Sequence, residues 1–246
     1  MDMDRSVKIF QTPFVMAEKM SGILTALVNS HEDKSRPFTI ALSGGSTPVL
    51  FFSVLAGHFG SQTDWSKVHF FWADERCVAP DHHDSNYRMA REALFDNIKI
   101  PAENIHRIRG EAEPESEVLR YSEEISGICL LKNGLPAFDL ILLGLGEDGH
   151  TASIFPGTEL HADRDMACMT TMHPVSRQMR ISLTMPVINN ATHVIFMVSG
   201  RNKAGIVSEI MHPGEPGQLY PASIVNPVAG SLQWLLDRDA ASLLTI

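Results

Sequence analysis

A carboxylate and an imidazole stand two residues apart in a glycine-rich segment, residues 144–153 (GLGEDGHTAS). The segment directly follows the apolar run 138–143, a pattern typical of a buried strand that opens into a loop. Glycine permits sharp turns and the close approach of a ligand, and a histidine can accept and return protons near neutral pH. The segment therefore predicts a proton-transfer site carried by Asp148 and His150.

A second glycine-containing segment, residues 43–48 (SGGSTP), stands between a strand-like and a helix-like run. Backbone N–H groups and hydroxyls at the beginning of a helix can bind a phosphate. The candidate phosphate ligands are Gly44, Gly45, Ser46 and Thr47. An ordinary turn, in which the hydroxyl of Ser46 or Thr47 caps the helix, fits the local sequence equally well. A Walker loop does not fit, and Pro48 stands where a nucleophilic-serine elbow needs glycine.

Charged residues follow or enter other predicted strands. Asp74 and Arg76 come after the strand-like run 68–73, and Arg180 enters a later strand. Lys203 stands in the first turn of a predicted helix. Ligands bind at the carboxyl ends of strands in open α/β sheets, and an arginine can hold a phosphate or carboxylate with two hydrogen bonds. These residues are candidate ligands of an anion, although each one alone is more often a surface charge.

Two other groups of reactive side chains are weighed and set aside. His82 and His83, between two aspartates, could suggest a metal site, but adjacent histidines in a polar loop are usually solvated. We therefore predict no metal. Cys77 is close to Asp74 in sequence, and nothing around it indicates an activated thiol, so we predict a packed cysteine.

The composition limits the class of protein. A net charge of −9 over 246 residues argues against nucleic acid as a partner, although a local pocket can still be positive. The three cysteines show neither metal spacing nor a disulfide framework, which indicates a reducing compartment. The sequence begins without an apolar signal segment and contains no run of transmembrane length, so we expect a cytoplasmic protein with no membrane partner. We expect a monomer or a small homo-oligomer.

Strand-like and helix-like runs alternate along the chain, which predicts an α/β fold with a mostly parallel sheet. No change in composition requires a boundary, so we expect one domain over 1–246. Strands are predicted at 38–42, 68–73, 138–143, 179–184, 193–198 and 242–246. Helices are predicted at 14–29, from the phosphate loop to about 59, and at 85–95, 114–131 and 202–211.

Several segments resemble one known family when they are taken in order. They are residues 42–48 (LSGGSTP), 71–76 (FWADER), 84–86 (DSN) and 144–156 (GLGEDGHTASIFP), followed by Arg180 and by 200–204 around Lys203. Each segment alone is a weak signal. Together, over nearly the whole chain, they closely resemble the 6-phosphogluconolactonases of the glucosamine-6-phosphate isomerase/6-phosphogluconolactonase superfamily.

The resemblance implies hydrolysis of 6-phospho-D-glucono-1,5-lactone, a sugar-phosphate lactone, in the pentose phosphate pathway. It implies a Rossmann-like sheet flanked by helices, with smaller additional elements and no cofactor. By the resemblance, Gly44, Gly45, Ser46 and Thr47 hold the phosphate, with Arg180, Lys203 and potentially Arg76 adding positive charge. His150 is implied as the general base and Asp148 as the residue that positions it. Asp74 matches a proton-transfer aspartate of the deaminase branch and has an open role here.

Two alternative functions are kept. The first is a glucosamine-6-phosphate deaminase or isomerase, but residues 151–156 (TASIFP) lack the acid typical of that branch. Arg76 also stands where that branch has an aromatic residue. The second is a non-catalytic sugar-phosphate-binding protein, which would need the phosphate loop but not His150.

Overall fold

The computed structural model describes residues 5–33, 35–158, 166–212 and 220–245. The strands are β1 (Arg5–Phe10), β2 (Phe38–Leu42), β3 (Val68–Trp72), β4 (Asp74–Arg76), β5 (Leu130–Lys132), β6 (Leu135–Ala137), β7 (Leu140–Leu143), β8 (Cys168–Met172), β9 (Met179–Leu183), β10 (His193–Val198) and β11 (Ser231–Asp237). The α-helices are α1 (Pro13–Asn29), α2 (Ser46–Val54), α3 (Asn86–Ala93), α4 (Pro114–Ile128), α5 (Met185–Ile188) and α6 (Ala204–Met211).

The main sheet has six parallel strands in the order β1-β11-β10-β7-β2-β3. Every residue of β2 and β7 is buried, as expected for strands of a parallel sheet covered on both faces. One cluster of buried apolar side chains surrounds this sheet, and it includes the stacked rings of Phe196 and Trp234, 3.9 Å apart. The predicted α/β fold with a parallel sheet flanked by helices is confirmed.

The smaller elements are a three-stranded antiparallel sheet, β4-β9-β8, and the hairpin β5-β6. The chain passes from the main sheet to the smaller one at Ala73, whose N–H donates to Leu42 O and whose carbonyl accepts from Leu183 N. Asp74–Arg76 is therefore not the end of β3 but a strand of its own, with Arg76 opposite Arg180. This crossing places both arginines on one small sheet beside the end of the main one.

The prediction of a last strand at 242–246 is wrong. Residues 242–245 form a turn and an irregular end, Ile246 lies outside the described residues, and the last strand is β11. β11 pairs with β1 and β10. These partners lie far away in sequence, and local periodicity cannot show such pairing. The other five predicted strands and all five predicted helices are present within a few residues of their expected bounds.

Across the described residues, no helix combines the length and the apolar character that crossing a membrane would require.

Candidate active site

A cavity of about 220 Å³ opens at the carboxyl ends of β2, β7 and β10. Its lining includes nine of the ten predicted site residues: Gly44, Gly45, Ser46, Thr47, Asp74, Arg76, His150, Arg180 and Lys203. The tenth, Asp148, lies directly behind His150. The structure therefore brings together residues from five separate parts of the sequence, at the edge of the sheet where ligands of α/β proteins bind.

The phosphate-loop candidate ends at the open N-terminus of α2. Gly45 precedes the helix with a φ of 109°, a left-handed conformation that favours glycine, and no side chain caps the helix. Thr47 Oγ1 instead lies 2.7 Å from Oγ of Ser199, which also lines the cavity. The capped-turn alternative is therefore wrong, and the free N–H groups of the first helical turn remain available for an anion.

Asn86 supports this loop from the side. Its Nδ2 donates to Asp74 O at 2.9 Å, and a Cβ added at Gly44 would lie 1.9 Å from Asn86 Oδ1. Gly44 is thus required by the close approach of a side chain that is itself anchored. Asn86 belongs to the matching segment 84–86 but is not among the site residues predicted from the sequence.

Asp148 and His150 form a hydrogen-bonded pair. His150 Nδ1 lies 2.5 Å from Asp148 Oδ1, and the backbone N–H of His150 donates to the same oxygen at 3.2 Å. Burial alone would raise the pKa of Asp148, but the charge of His150 and hydrogen bonds from it hold that pKa below its usual value. An ionised Asp148 accepts the Nδ1 proton, which leaves Nε2 of His150 as the free acceptor.

The loop that carries this pair turns tightly and requires glycine at two positions. Gly146 N donates to His150 O at 2.9 Å, and a Cβ on Gly146 would lie 2.1 Å from His150 Nδ1. Gly149 has a φ of 79° and packs against the Tyr220 ring. The loop can therefore hold the two catalytic candidates only with glycine at these positions.

Three cations and one acid line the cavity. Arg76 Nη1 donates to Asp84 O at 2.5 Å, which directs its guanidinium along the 82–86 loop. Arg180 is largely buried, which lowers its pKa from the ordinary value, and its guanidinium lies 5.8 Å from the centre of the Phe155 ring. Lys203 is half-buried at the start of α6. With Asp74 as the acid in the lining, the cavity is positive inside a chain of net charge −9.

Glu75 is a buried residue that supports the same region and was not predicted from the sequence. Its carboxylate accepts from the backbone N–H groups of Arg76, Asn86 and Tyr87 at 2.8 Å, and from Ser85 Oγ at 3.0 Å. Burial raises the pKa of this carboxyl, although the backbone donors oppose that effect. The three bonds from Ser85, Asn86 and Tyr87 fix the start of α3, and through it the Asn86 side chain. Nothing local distinguishes such a glutamate from a surface one in the sequence.

The two side-chain groups that we set aside lie outside the cavity lining. Burial raises the pKa of Cys77 to about 11, so its thiol is protonated at neutral pH and is a poor nucleophile. His82, His83 and Asp84 offer potential ligand atoms within 4.8 Å of one another, in the described part of the chain. His82 Nδ1 already accepts from Asp84 N at 3.1 Å.

The chain is similar to several known proteins. Residues 11–234 match the family profile of the glucosamine-6-phosphate isomerases/6-phosphogluconolactonase. The 6-phosphogluconolactonase of Haemophilus influenzae is 44% identical over 211 residues, which cover 85% of this chain and 89% of that protein. The one from Nostoc sp. is 40% identical, covering 94% and 95%. The crystal structure of the devB protein has a TM-score of 0.91 at 40% identity and covers 98% of this chain and 100% of its own. This chain belongs to the glucosamine-6-phosphate isomerase/6-phosphogluconolactonase family.

Proposed function

We propose that the protein hydrolyses 6-phospho-D-glucono-1,5-lactone to 6-phospho-D-gluconate, in the oxidative pentose phosphate pathway. The relatives reported above that are named for an activity are 6-phosphogluconolactonases and match most of the chain. The observation that carries the proposal is the Asp148–His150 pair at a positive cavity that also contains an open helix N-terminus. That combination suits an anionic substrate and a reaction that needs a base.

The phosphate of the substrate binds the loop from Gly44 to Thr47 in this proposal. The free N–H groups of α2 and the helix dipole supply donors and positive potential. Arg180 and Lys203 add full charges, and Arg76 extends the positive surface toward the lactone hydroxyls. Binding energy from this remote group holds the lactone carbonyl beside His150.

The reaction itself needs one base and charge stabilisation. Nε2 of neutral His150 removes a proton from water while the water oxygen bonds to C1 of the lactone. Cationic and N–H groups stabilise the oxyanion that develops on the carbonyl oxygen. The bond between C1 and the ring oxygen then breaks, and the ring oxygen takes the proton back from His150. Asp148 keeps the imidazole in the required tautomer and stabilises its protonated form.

The two alternatives have weaker support. A deaminase or isomerase needs a further acid near the histidine, and residues 151–156 supply none. A passive sugar-phosphate binder has no use for a carboxylate-oriented imidazole in its pocket. We therefore keep lactone hydrolysis as the single proposed reaction.

Several further expectations belong to this proposal. We infer a cytoplasmic enzyme of one domain over 1–246, present as a monomer or small homo-oligomer, that neither binds nucleic acid nor requires a cofactor. The net charge of −9 supports the expectation on nucleic acid.

The test is hydrolysis of freshly generated 6-phosphoglucono-1,5-lactone, followed with coupled 6-phosphogluconate dehydrogenase and corrected for spontaneous hydrolysis. Wild type should accelerate the reaction, and His150→Ala should lower kcat by about 10²- to 10⁴-fold with little change in binding of 6-phosphogluconate. His83→Ala, at a side chain 78% exposed and outside the cavity lining, is the matched control. A folded wild type without activity would refute the proposed function, and normal turnover by His150→Ala would refute the base.

A further inference from the structure

Ser153 forms hydrogen bonds with two of the predicted site residues, Asp74 and Arg180, and is itself absent from the cavity lining. Its side chain is fully buried, and its Oγ donates to Asp74 Oδ2 at 2.6 Å. Asp74 is 5% exposed. A buried carboxylate needs such a donor, because an unpaired buried charge is strongly unfavourable.

The same hydroxyl also accepts a hydrogen bond from Arg180. Arg180 Nη1 lies 3.4 Å from Ser153 Oγ and 3.9 Å from Asp74 Oδ2. The three groups form a directed chain in which the guanidinium donates to the hydroxyl and the hydroxyl donates to the carboxylate. Hydrogen bonds in such chains strengthen one another.

The backbone of Ser153 is held as firmly as its side chain. Its N–H donates to Ser182 Oγ at 3.2 Å, and Thr151 pairs with Ile154 across the residue. The residue before it, Ala152, has a φ of 48°, an uncommon conformation for a residue with a Cβ. Ser153 is thus the point at which the loop of His150 is fastened to the small sheet that carries Asp74 and Arg180.

We propose that Ser153 is a positioning residue for the lactonase reaction, acting through Asp74 and Arg180. Its hydroxyl sets the carboxylate and the guanidinium relative to the loop of His150, three residues away. It is not a nucleophile, because its oxygen is buried and occupied by both partners. This inference rests on the proposed function and adds a residue to it.

The test is a double-mutant cycle between Ser153→Ala and Asp74→Asn. Both kcat/KM for the lactone and the Kd of 6-phosphogluconate by calorimetry are measured. Ser153→Ala should lower kcat/KM by roughly 10- to 100-fold, the range for losing a hydrogen bond to a charged group. Ser153→Thr, which keeps the hydroxyl, should recover part of the loss. The losses of the two single variants should not multiply in the double variant, because Ser153→Ala removes the donor and Asp74→Asn removes the acceptor charge of one charge-assisted hydrogen bond.

Ser21→Ala is the matched control. Ser21 is also fully buried, but its Oγ donates only to Ala17 O within α1, so this variant should keep wild-type kinetics. Circular dichroism and Tm establish that each variant is folded.

The outcomes separate the two proposals. Folded Ser153→Ala with the kinetic constants of Ser21→Ala, or losses that multiply independently, would overturn the positioning role. Wild type that binds 6-phosphogluconate without hydrolysing the lactone would refute the proposed function alone. The double-mutant cycle would then be evaluated from the Kd values of 6-phosphogluconate. Wild type that neither hydrolyses nor binds would refute both.

Discussion

At the scale of single residues, the orientation of His150 determines which nitrogen can act as a base. Asp148 Oδ1 accepts from both the Nδ1 and the backbone N–H of His150, so one oxygen fixes the ring and the loop together. The lowered pKa of Asp148 keeps this carboxylate charged at neutral pH, and a charged acceptor keeps the proton on Nδ1. The arrangement predicts that the charge of Asp148, and not only its shape, supports turnover.

Asp148→Asn should therefore lower kcat by about 10²- to 10³-fold while KM stays near the wild-type value. An asparagine that turns its NH₂ toward Nδ1 favours the opposite tautomer, with Nε2 protonated and unable to accept a proton. The coupled lactone assay measures this loss. Glu147→Gln, one position earlier in the same loop, is the control, and its kcat should stay close to the wild-type value. A fall in kcat/KM caused by KM alone would contradict the role given to Asp148.

Substitution of Lys203 should affect KM more than kcat, since Lys203 is proposed to bind the phosphate and not the reacting carbon. Lys203→Met should raise KM by about 10- to 100-fold, the range for one charge-assisted hydrogen bond, with a smaller change in kcat. The effect should shrink for an unphosphorylated gluconolactone, which lacks the group that Lys203 binds. Equal losses for both lactones would remove Lys203 from the phosphate site.

The pairing of two site residues could be predicted from the sequence only where the partners lie close together in it. Asp148 and His150 are two positions apart, so their spacing alone indicated the pair. Apart from the bond between Glu75 and its neighbour Arg76, Asn86, Glu75 and Ser153 act through contacts with residues 10 to 79 positions away. Nothing local separates a serine that holds a buried carboxylate from one that caps a turn. Such residues became visible only when the fold brought the partners together.

At the scale of elements, the site depends on how closely α2 and α3 approach. Gly44, before α2, faces Asn86, the first residue of α3, and Glu75 anchors the α3 end through its carboxylate. The Asn86 amide cannot simply rotate away from a larger residue, because Nδ2 is bonded to Asp74 O. The position of the phosphate loop is therefore set by a neighbouring helix.

Gly44→Ala should displace the phosphate loop and raise KM by at least about 10-fold, because small misplacements of a binding group are costly in catalysis. Gly127→Ala is the control, since a Cβ there meets nothing within 4 Å and favours helix α4. Steady-state kinetics and the Kd of 6-phosphogluconate measure the effect. Unchanged values for Gly44→Ala would mean that the loop and Asn86 adjust freely.

The elements that sequence analysis predicted well are those with long, uniform patterns. β2 and β10 are nearly continuous apolar runs, and α1 has the Thr12 cap and Pro13 start typical of a helix. β11 was missed in favour of residues 242–246 because the two segments look alike locally. Only β11 has neighbouring strands on both sides to pair with. The two segments have similar local patterns, and pairing with strands far away in the sequence determines that β11 is the strand.

At the scale of the whole molecule, partly buried histidines link folding to pH. His69 Nδ1 lies 2.9 Å from His106 Nε2, and His106 Nδ1 lies 2.8 Å from Glu124 Oε1. Burial and then the charge of His106 lower the pKa of His69 from its ordinary value of 6.5, against a smaller opposing effect of Glu103. Burial likewise lowers the pKa of His193 and of His173. The folded state therefore disfavours protonation at three histidines.

The sign of the resulting effect follows from proton counting. Where a folded pKa lies below 6.5, the unfolded chain binds more protons as the pH falls, so acid favours unfolding. The stability contributed by these histidines is complete above about pH 6.5 and is lost as the pH falls through the lowered folded values. Asp139, whose pKa is held below its ordinary value of 3.8 by Arg36 against the effect of burial, loses its contribution only at much lower pH. The histidines and Asp139 therefore affect the stability of the fold in separate pH ranges.

Urea unfolding at pH 7.5, 6.5 and 5.5 should show midpoints that decline between the last two values with an unchanged m-value. His69→Gln should flatten this decline, because it removes one of the groups that resists protonation in the fold. His83→Gln, at an exposed site, should leave the slope as in wild type. An identical slope in His69→Gln would mean that His69 takes up a proton as readily in the folded as in the unfolded state. The His69 pair and the His150 pair have no residue in common, whereas the pKa of His173 also responds, besides burial, to the charges of Arg180 and His150 in the site. Acid should thus lower the folded fraction and the activity by separable routes, and comparing urea midpoints with kcat over the same pH range distinguishes them.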